Sequence, residues 1–409
     1  MTGYRISRLG LQGDGVAEGP VFIPLTLPGE EVEAEVIDGR ARDVKIITPS
    51  DRRVAAPCPH FRSCGGCQLQ HADDDFVAAW KTDVVRNALK AHGTETVLRP
   101  VVTSPAGTRR RAGFAARRTK KGAMAGFHGR ASDTIIEIPG CLLLEPDVLA
   151  GRAVAEALAL VGASRKTALS VMVTGAENGL DVAVSHGKPL DGPLRQQLAA
   201  ICESMKLARL TWEDEVVAMR EPPVHSIGAA QVSPPPGAFL QATLHGQQVL
   251  TDAVLEVTAG ARRVIDLFAG CGTFSLPLAA HAEVHAVEGE AAMLASLDAG
   301  WRHAKGLKTI TTEARDLFRR PLMPDELRKT GAVVLDPPRA GAEAQIAELI
   351  KSDVTKIAYV SCNPVTFARD AAVLVGAGWS ADWVQVVDQF RWSSHVELVG
   401  SFTAPHMQG

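Results

Sequence analysis

Between Arg262 and Asp388 apolar and β-branched residues gather in short segments: RRVIDLF, AEVHAVE, KTITTE, GAVVLD and KIAYVS. Runs of this length, rich in β-branched residues, predict strands covered on both faces. The stretches between them, around MLASLDAGWRHA, around AQIAELI and from Thr366, carry apolar residues at helical spacing. Regular alternation of the two predicts an open, doubly wound α/β sheet. The first fifty residues read differently. VFIPLTL, EEVEAEVI and RDVKIIT are split by Gly, Pro and Asp turns without a helical period, which predicts a small β-barrel. Between these parts, strands such as LSVMVT and LDVAVS mix with helical runs such as FVAAWKTDVVRNALKAH and VLAGRAVAEALALV, predicting a central α+β domain that ends at VSPPPGAF. The expected domains are therefore 1–50, 51–232 and 233–409.

A chain of 409 residues with 46% hydrophobic and 22% charged positions has material for several good cores, which argues against disorder. The start, MTGYRISRLG, lacks an apolar leader core, and no uncharged run is long enough to span a membrane, so a cytoplasmic protein is expected. In that compartment seven cysteines argue for metal or catalytic chemistry and against a disulfide framework. The net charge of -3 conceals a basic run. Arg109, Arg110, Arg111, Arg117, Arg118, Lys120, Lys121 and Arg130 fall in a stretch without an acid, and apolar residues alternate with the charges in RAGFAARR. That pattern predicts a strand with one basic face, suited to phosphates, against the plainer reading of a solvated surface.

The densest local signal is VIDLFAGCGTFSLPLA, in which a strand ending in Asp266 runs into a loop with Gly270 and Gly272 and then into a helix. A glycine pair lets backbone approach a ligand at the carboxyl edge of the sheet. The next strand ends in Glu288, where a nucleoside-binding fold sets a carboxylate on ribose hydroxyls, and Asp316 after the following strand suits an adenine edge. The loop has neither the Lys-Ser or Lys-Thr of a phosphate loop nor a complete dinucleotide fingerprint. Adenosine without phosphates fits it better, and S-adenosylmethionine is such a ligand. The remaining strand ends offer Asp336 in LDPPRAG, Cys362 in YVSCNP, and His395 with Glu397 in SSHVELVGSF. Singly, Asp336 reads as a helix cap, Cys362 as packing and Glu397 as an arginine's partner; together on one cleft edge they read as chemistry.

In their order, DLFAGCGTF, LDPPRAG, SCNP and HVE resemble the signature set of the RNA 5-methyluridine (uracil-C5) methyltransferases. The resemblance covers the whole chain, since residues 1–50 resemble the family's OB-like RNA-binding TRAM barrel. It implies a class I S-adenosylmethionine-dependent methyltransferase fold. It also makes Cys362 the nucleophile and Glu397 the base, with Gln241, Phe268, Thr273, Glu288, Asp316 and Asp336 around the cofactor and Phe239 near the target base. Asp336 is left between orienting the pyrimidine edge and the cofactor's methionine end. Cys58, Cys64, Cys67 and Cys141 resemble the four ligands of the iron-sulfur cluster in the ribosomal RNA branch. Their C-x5-C-x2-C plus distant-Cys spacing favours a four-iron four-sulfur (4Fe-4S) cluster over zinc, with a structural role. Residues 68–95 are packed on the catalytic domain in relatives. Thr273 and Thr243 stand where many relatives carry Asn, and FRWSSHVE departs from the frequent Phe-Pro-His-Thr run. Cys202 and Cys271 match no ligand and are expected as packing.

The chemistry supports the same assignment, because carbon 5 of uracil is a poor nucleophile until a thiolate adds at carbon 6, and a base must later remove the proton from carbon 5. The target uridine must be unpaired or flipped. The expectation is a monomer that methylates RNA, with 23S ribosomal RNA favoured over transfer RNA. A methyltransferase for cytosine or a small molecule and a non-catalytic RNA-binding module remain as alternatives, and neither requires both Cys362 and Glu397.

Overall fold

The computed structural model describes residues 2–19, 21–37 and 39–405. Its carboxyl-terminal part is built on an eight-stranded sheet. The strand order is Ile310–Ala314, Glu283–Glu288, Arg263–Leu267, Ala332–Leu335, Lys356–Ser361, Leu398–Thr403, Ser380–Asp388 and Val97–Thr103. The first five strands are parallel. From Arg263–Leu267 the chain winds one way through the next two strands and then back through Ala332–Leu335, so the sheet's switch point lies between those two neighbours, where the glycine loop emerges. This is the α/β fold expected from the buried runs, and apolar clusters cover both faces: Val264, Leu250 and Leu297 belong to one, Ile265, Ile357 and Leu374 to the other. The helix expected after the glycine loop is only Ser275–Leu278; Pro277 has no N–H to donate inside a longer one.

Two segments that the linear reading leaves in the middle region lie on this sheet. Val97–Thr103 pairs in parallel with Ser380–Asp388 as an edge strand. The hairpin His225–Ile227 and Ala230–Val232 puts Ile227, Ala230 and Val232 into the catalytic-side core. The helix Asp74–Ala91, capped by Asp73 through the Phe76 N–H at 2.7 Å, buries Val85 and Leu89 in the same core as Leu374 of the helix Pro364–Gly376. The middle region proper is a seven-stranded sheet backed by the helices Pro146–Gly162 and Gly192–Ser204, with Trp212 fully buried in its core.

The amino-terminal sheet has six strands, ordered Thr2–Arg5, Glu31–Ile37, Arg40–Thr48, Val21–Ile23, Gly15–Ala17 and Arg8–Leu9. Its first and last members are successive in the chain, so the sheet curls back on itself around Ile6, Ile23, Val32 and Ala34. Gly15 lies where a Cβ would meet Thr26 Oγ1 at 2.1 Å, which is why the tightest part of the curl carries no side chain. Among the described residues no helix is long and apolar enough to cross a membrane.

Candidate active site

The strand Lys356–Ser361 is buried from Ile357 onward, and it stops where Asn363 caps the next helix: its side chain accepts from the Val365 N–H at 3.1 Å, and Pro364 follows at the first helical turn. Cys362 sits in that corner, half-buried. The neighbouring strand Leu398–Thr403 runs antiparallel, with Leu398 paired to Ser361. One step beyond that last pair come Cys362 and Glu397, near enough for the carboxylate's charge to act on the thiol. Asn363 Nδ2 donates to the Arg339 carbonyl at 2.9 Å, tying the cysteine corner to the loop that follows Asp336.

These groups are coupled through charge. Burial pushes the Glu397 carboxyl up to about 8, with the charge of Asp336 adding to the shift. Asp336 is itself raised to about 7, by burial and then by Asp266 and Glu288. The Cys362 thiol is raised to about 11, chiefly by burial, then by Glu397 and Asp336, against a lowering effect of Arg339. Near neutral pH the Cys362 thiol and most of Glu397 therefore keep their protons while Asp336 is about half-ionised, and an arriving positive charge makes the acids easier to ionise. Arg339 also donates to His395 Nδ1 at 3.2 Å.

The glycine loop has the shape required for close approach. Phe268, Gly270 and Gly272 all take left-handed backbone, at φ 64°, 54° and 91°, and a Cβ at Gly272 would meet Leu297 at 2.8 Å. Glu288, half-buried at its strand end, accepts from the N–H of Gly270 and of Glu290, both at 3.0 Å, so the loop and the next strand are held together. Phe268 leans on Phe318 at 5.5 Å between ring centres, which brings the Asp316 turn beside the loop. Asp316 is exposed and accepts from the Phe318 N–H at 3.0 Å. Thr273 is half-buried in the loop, whereas Phe239 is 60% exposed, with Arg111 above its ring at 5.9 Å. Cys271 and Cys202 are buried packing residues.

Gln241 is turned inward. It accepts from Gln389 Nε2 at 2.5 Å, and Gln389 Nε2 also reaches Glu397 Oε2 at 3.3 Å. Thr243 caps the helix Leu244–Val257 by accepting from the Gly246 N–H at 2.8 Å, a task Asn performs equally well, which explains the substitution seen in the sequence. Sequence reasoning missed Gln389, because a glutamine directly after a strand carries no signal of its own. It also quoted Asp266 without assigning it. Asp266 is fully buried, takes a 2.6 Å bond from Ser275, is raised to about 7, and has one oxygen without a protein partner.

The basic run does not form one face. Arg110 is buried and donates to the Gln241 carbonyl at 2.9 Å and to Gln247 at 2.7 Å, serving the fold. Arg130 donates to the Phe61 carbonyl at 2.9 Å, while Arg118, Lys120 and Lys121 are exposed. Next to Arg130, the four cysteines Cys58, Cys64, Cys67 and Cys141 line one cavity together with Phe61, Gln70 and Phe127. Burial pushes the Cys67 thiol up to about 12. The Gly66 N–H points at Cys64 Sγ at 3.4 Å. Among the described residues no three cysteine, histidine or acidic side chains converge as a ready single-ion site. The same loop reaches the segment before Glu397: Gln68 and Leu69 donate their N–H groups to the Trp392 carbonyl at 2.8 and 2.9 Å, five residues before Glu397.

Residues 303–403 match the family model described as tRNA (Uracil-5-)-methyltransferase. The chain is 43% identical to an uncharacterized RNA methyltransferase of Brucella suis, over 97% of each chain. It is 32% identical to the 23S rRNA (uracil(1939)-C(5))-methyltransferase of Marinomonas, over 97% of this chain and 93% of that one. In fold it is similar to the tRNA (uracil-54, C5)-methyltransferase of Pyrococcus abyssi, solved with S-adenosyl-L-homocysteine. The TM-score is 0.77 at 22% identity, covering 98% of this chain and 99% of that one.

Proposed function

Because the chain belongs to the S-adenosylmethionine-dependent RNA (uracil-5-)-methyltransferase family, we propose that it methylates carbon 5 of a uridine in RNA through a transient bond from Cys362 to carbon 6. The observation that carries this reading is the Ser361–Leu398 pairing, which leaves Cys362 and Glu397 opposed at the open end of two strands. Thiolate addition to carbon 6 moves an electron pair onto the ring's carbonyl oxygen and makes carbon 5 an enolate carbon. That carbon forms its bond to the methyl group as the bond from methyl to sulfonium breaks. Glu397 then takes the proton from carbon 5, the double bond between carbons 5 and 6 returns, and Cys362 leaves as thiolate. With its carboxyl raised to about 8, Glu397 is mostly protonated at neutral pH until RNA and donor have filled the site. Asp336, whose charge acts on both groups, orients the reactants between them.

The residues suit S-adenosylmethionine. Asp266 keeps a buried oxygen without a protein partner, Gly272 leaves no room for a side chain, and four acids, Asp266, Asp336, Glu288 and Glu397, share one region where a ligand with positive charge and hydroxyl groups is favoured. Glu288 would take the ribose hydroxyls and Asp316 the adenine edge, Phe268 and Thr273 would line the adenosine, and Gln241 and Asp336 would face the methionine end. When bound, the sulfonium supplies an electrophilic methyl group.

We further propose that Cys58, Cys64, Cys67 and Cys141 hold a 4Fe-4S cluster. Four thiols around one cavity, with the Gly66 N–H on Cys64 and the positive charges of Arg109 and Arg130 acting on Cys67, form a donor set for a metal centre that needs thiolates. A single zinc would draw four sulfurs to about 3.8 Å from one another, as tetrahedral bonds of about 2.3 Å require. Full-length likeness to a ribosomal enzyme and the cysteine set support large-subunit ribosomal RNA as substrate, with residues 1–50 acting as a TRAM-like RNA-binding barrel.

RNA carrying 5-fluorouridine tests the reaction, because fluorine at carbon 5 cannot be removed as a proton and the adduct persists. Wild-type protein with S-adenosylmethionine is expected to give a denaturation-resistant RNA–protein band, and Cys362→Ala none. A wild-type protein that binds both ligands yet never forms the band sinks the covalent reading. Mapping 5-methyluridine in ribosomal and transfer RNA from cells with and without the gene decides the substrate.

A further inference from the structure

We propose that Gln389 is a positioning residue for the final proton transfer: its side-chain amide holds Glu397 toward Cys362 and links it to Gln241. This rests on the reading of Glu397 as the base. The orientation of the amide is fixed by chemistry. The Ala242 N–H can only donate, and it reaches Gln389 Oε1 at 2.8 Å, so the other end must be the NH2 group. Its two hydrogens point to Gln241 Oε1 at 2.5 Å and Glu397 Oε2 at 3.3 Å, which uses all its donors. Gln389 is 2% and Glu397 3% exposed, so water does not compete for these bonds.

The surrounding packing keeps this side chain in place. The helix Leu244–Val257 comes so close that a Cβ on Gly246 would lie 2.7 Å from Gln389 Cβ. The residue before it, Asp388, is held by the buried Lys81 ammonium at 2.6 Å. The bond to Glu397 is the long one of the three, and it strengthens when the carboxyl ionises, because a donor on a charged oxygen is the stronger arrangement. Gln389 thus opposes the effects that push the Glu397 carboxyl upward. It favours the anion at the step where the proton leaves carbon 5, the electron pair closes the double bond and the bond from carbon 6 to sulfur breaks.

The readout is the methylated adduct on natural RNA, which accumulates when its resolution slows. Gln389→Glu keeps an acceptor for the Ala242 N–H and the same shape but removes the donor to Glu397; Gln389→Met removes both. In either variant with S-adenosylmethionine, the covalent species is expected to rise on a denaturing gel. kcat is expected to fall with little change in KM for RNA, by about tenfold for each unit by which the pH midpoint moves upward. Glu397→Gln serves as the reference and is expected to accumulate the adduct most. If Gln389→Glu turns over like wild type without adduct while Glu397→Gln accumulates it, the positioning role is wrong and the base stands. If Glu397→Gln itself accumulates none, the base assignment falls and the role of Gln389 with it. Should Gln389→Met fail to fold, Gln389→Glu alone decides.

Discussion

Replacing Lys81 by Met should damage the candidate active site from a distance, because Lys81 joins the helix Asp74–Ala91 to the segment that leads to Glu397. Its ammonium is 0% and the Asp388 carboxylate 1% exposed, 2.6 Å apart, and Nζ also donates to the Phe390 carbonyl at 3.2 Å. Burial holds the Lys81 pKa below its usual value, while the charge and hydrogen bond of Asp388 work to restore it. Met fills nearly the same volume but leaves Asp388 with the Phe390 N–H, at 3.1 Å, as its remaining side-chain donor. Removing one member of a buried pair costs about 3–5 kcal/mol, because the other charge stays in the interior. Removing both with Lys81→Met and Asp388→Leu avoids the stranded charge, so the double variant should be more stable than Lys81→Met alone by about 2 kcal/mol or more. Urea unfolding followed by tryptophan fluorescence measures the stability. Hydrogen exchange of residues 388–397 measures the local effect, with faster exchange expected in Lys81→Met than in the double variant. Two single variants each costing below about 1 kcal/mol and adding without coupling would falsify the clamp.

Gly246→Ala should be harmful although the same change in a free helix is favourable by about 1 kcal/mol, because the new methyl would meet Gln389 Cβ at 2.7 Å and Thr243 Oγ1 at 3.0 Å; turnover at or above wild type would refute the tight fit. Stability of the ligand-free protein should fall from pH 6.5 to 8.5. Asp266 and Asp336 are raised to about 7 and Glu397 to about 8, so across that window the folded state binds more protons than the unfolded chain. His71 and His225, lowered to about 4, act in the opposite sense but finish near pH 6.5. Melting curves at the two pH values check this, and S-adenosylmethionine, with its sulfonium charge, should protect more at pH 8.5 than the uncharged S-adenosylhomocysteine; equal protection counts against the acidic site. Replacing Cys67 by Ser should remove iron and sulfide from the purified protein and, through the Gln68 and Leu69 bonds to Trp392, quicken exchange at residues 390–394; wild-type protein without iron and sulfide rules out the cluster, and unchanged content in the variant rules out Cys67 as a ligand.

The doubly wound sheet was legible because each strand buried on both faces is a continuous apolar run, and the ends of those runs mark the carboxyl edge. Cys362 and Asp336 follow from that rule alone. Glu397 is different: its approach to Cys362 depends on a strand added antiparallel, whose pairing partner no periodicity reveals. The edge strand Val97–Thr103 was hidden for the same reason, since it joins Ser380–Asp388 across nearly three hundred residues. The basic run misled because sequence cannot tell an arginine that meets solvent from one such as Arg110, which spends its donors on Gln241 and Gln247 inside the protein. Gln389 and Lys81 went unseen because their roles exist only through partners distant in the chain.

The antiparallel insertion also settles the proton economy of the site. A purely parallel sheet would end all its strands on the same edge, and a second residue facing Cys362 would have to come from a flexible loop. Here the chain leaves the strand Ser380–Asp388, is held at Asp388, Phe390 and Trp392, and enters Leu398–Thr403 with Glu397 already opposite the thiol. A rigid approach of this kind forces two acids and a thiol into one buried region, which raises all three pKa values. With its pKa raised to about 11, the Cys362 thiol stays in the form that oxidants attack least, since the thiolate is the reactive form. A cation beside the acids would lower their pKa values, leaving a carboxylate able to accept a proton.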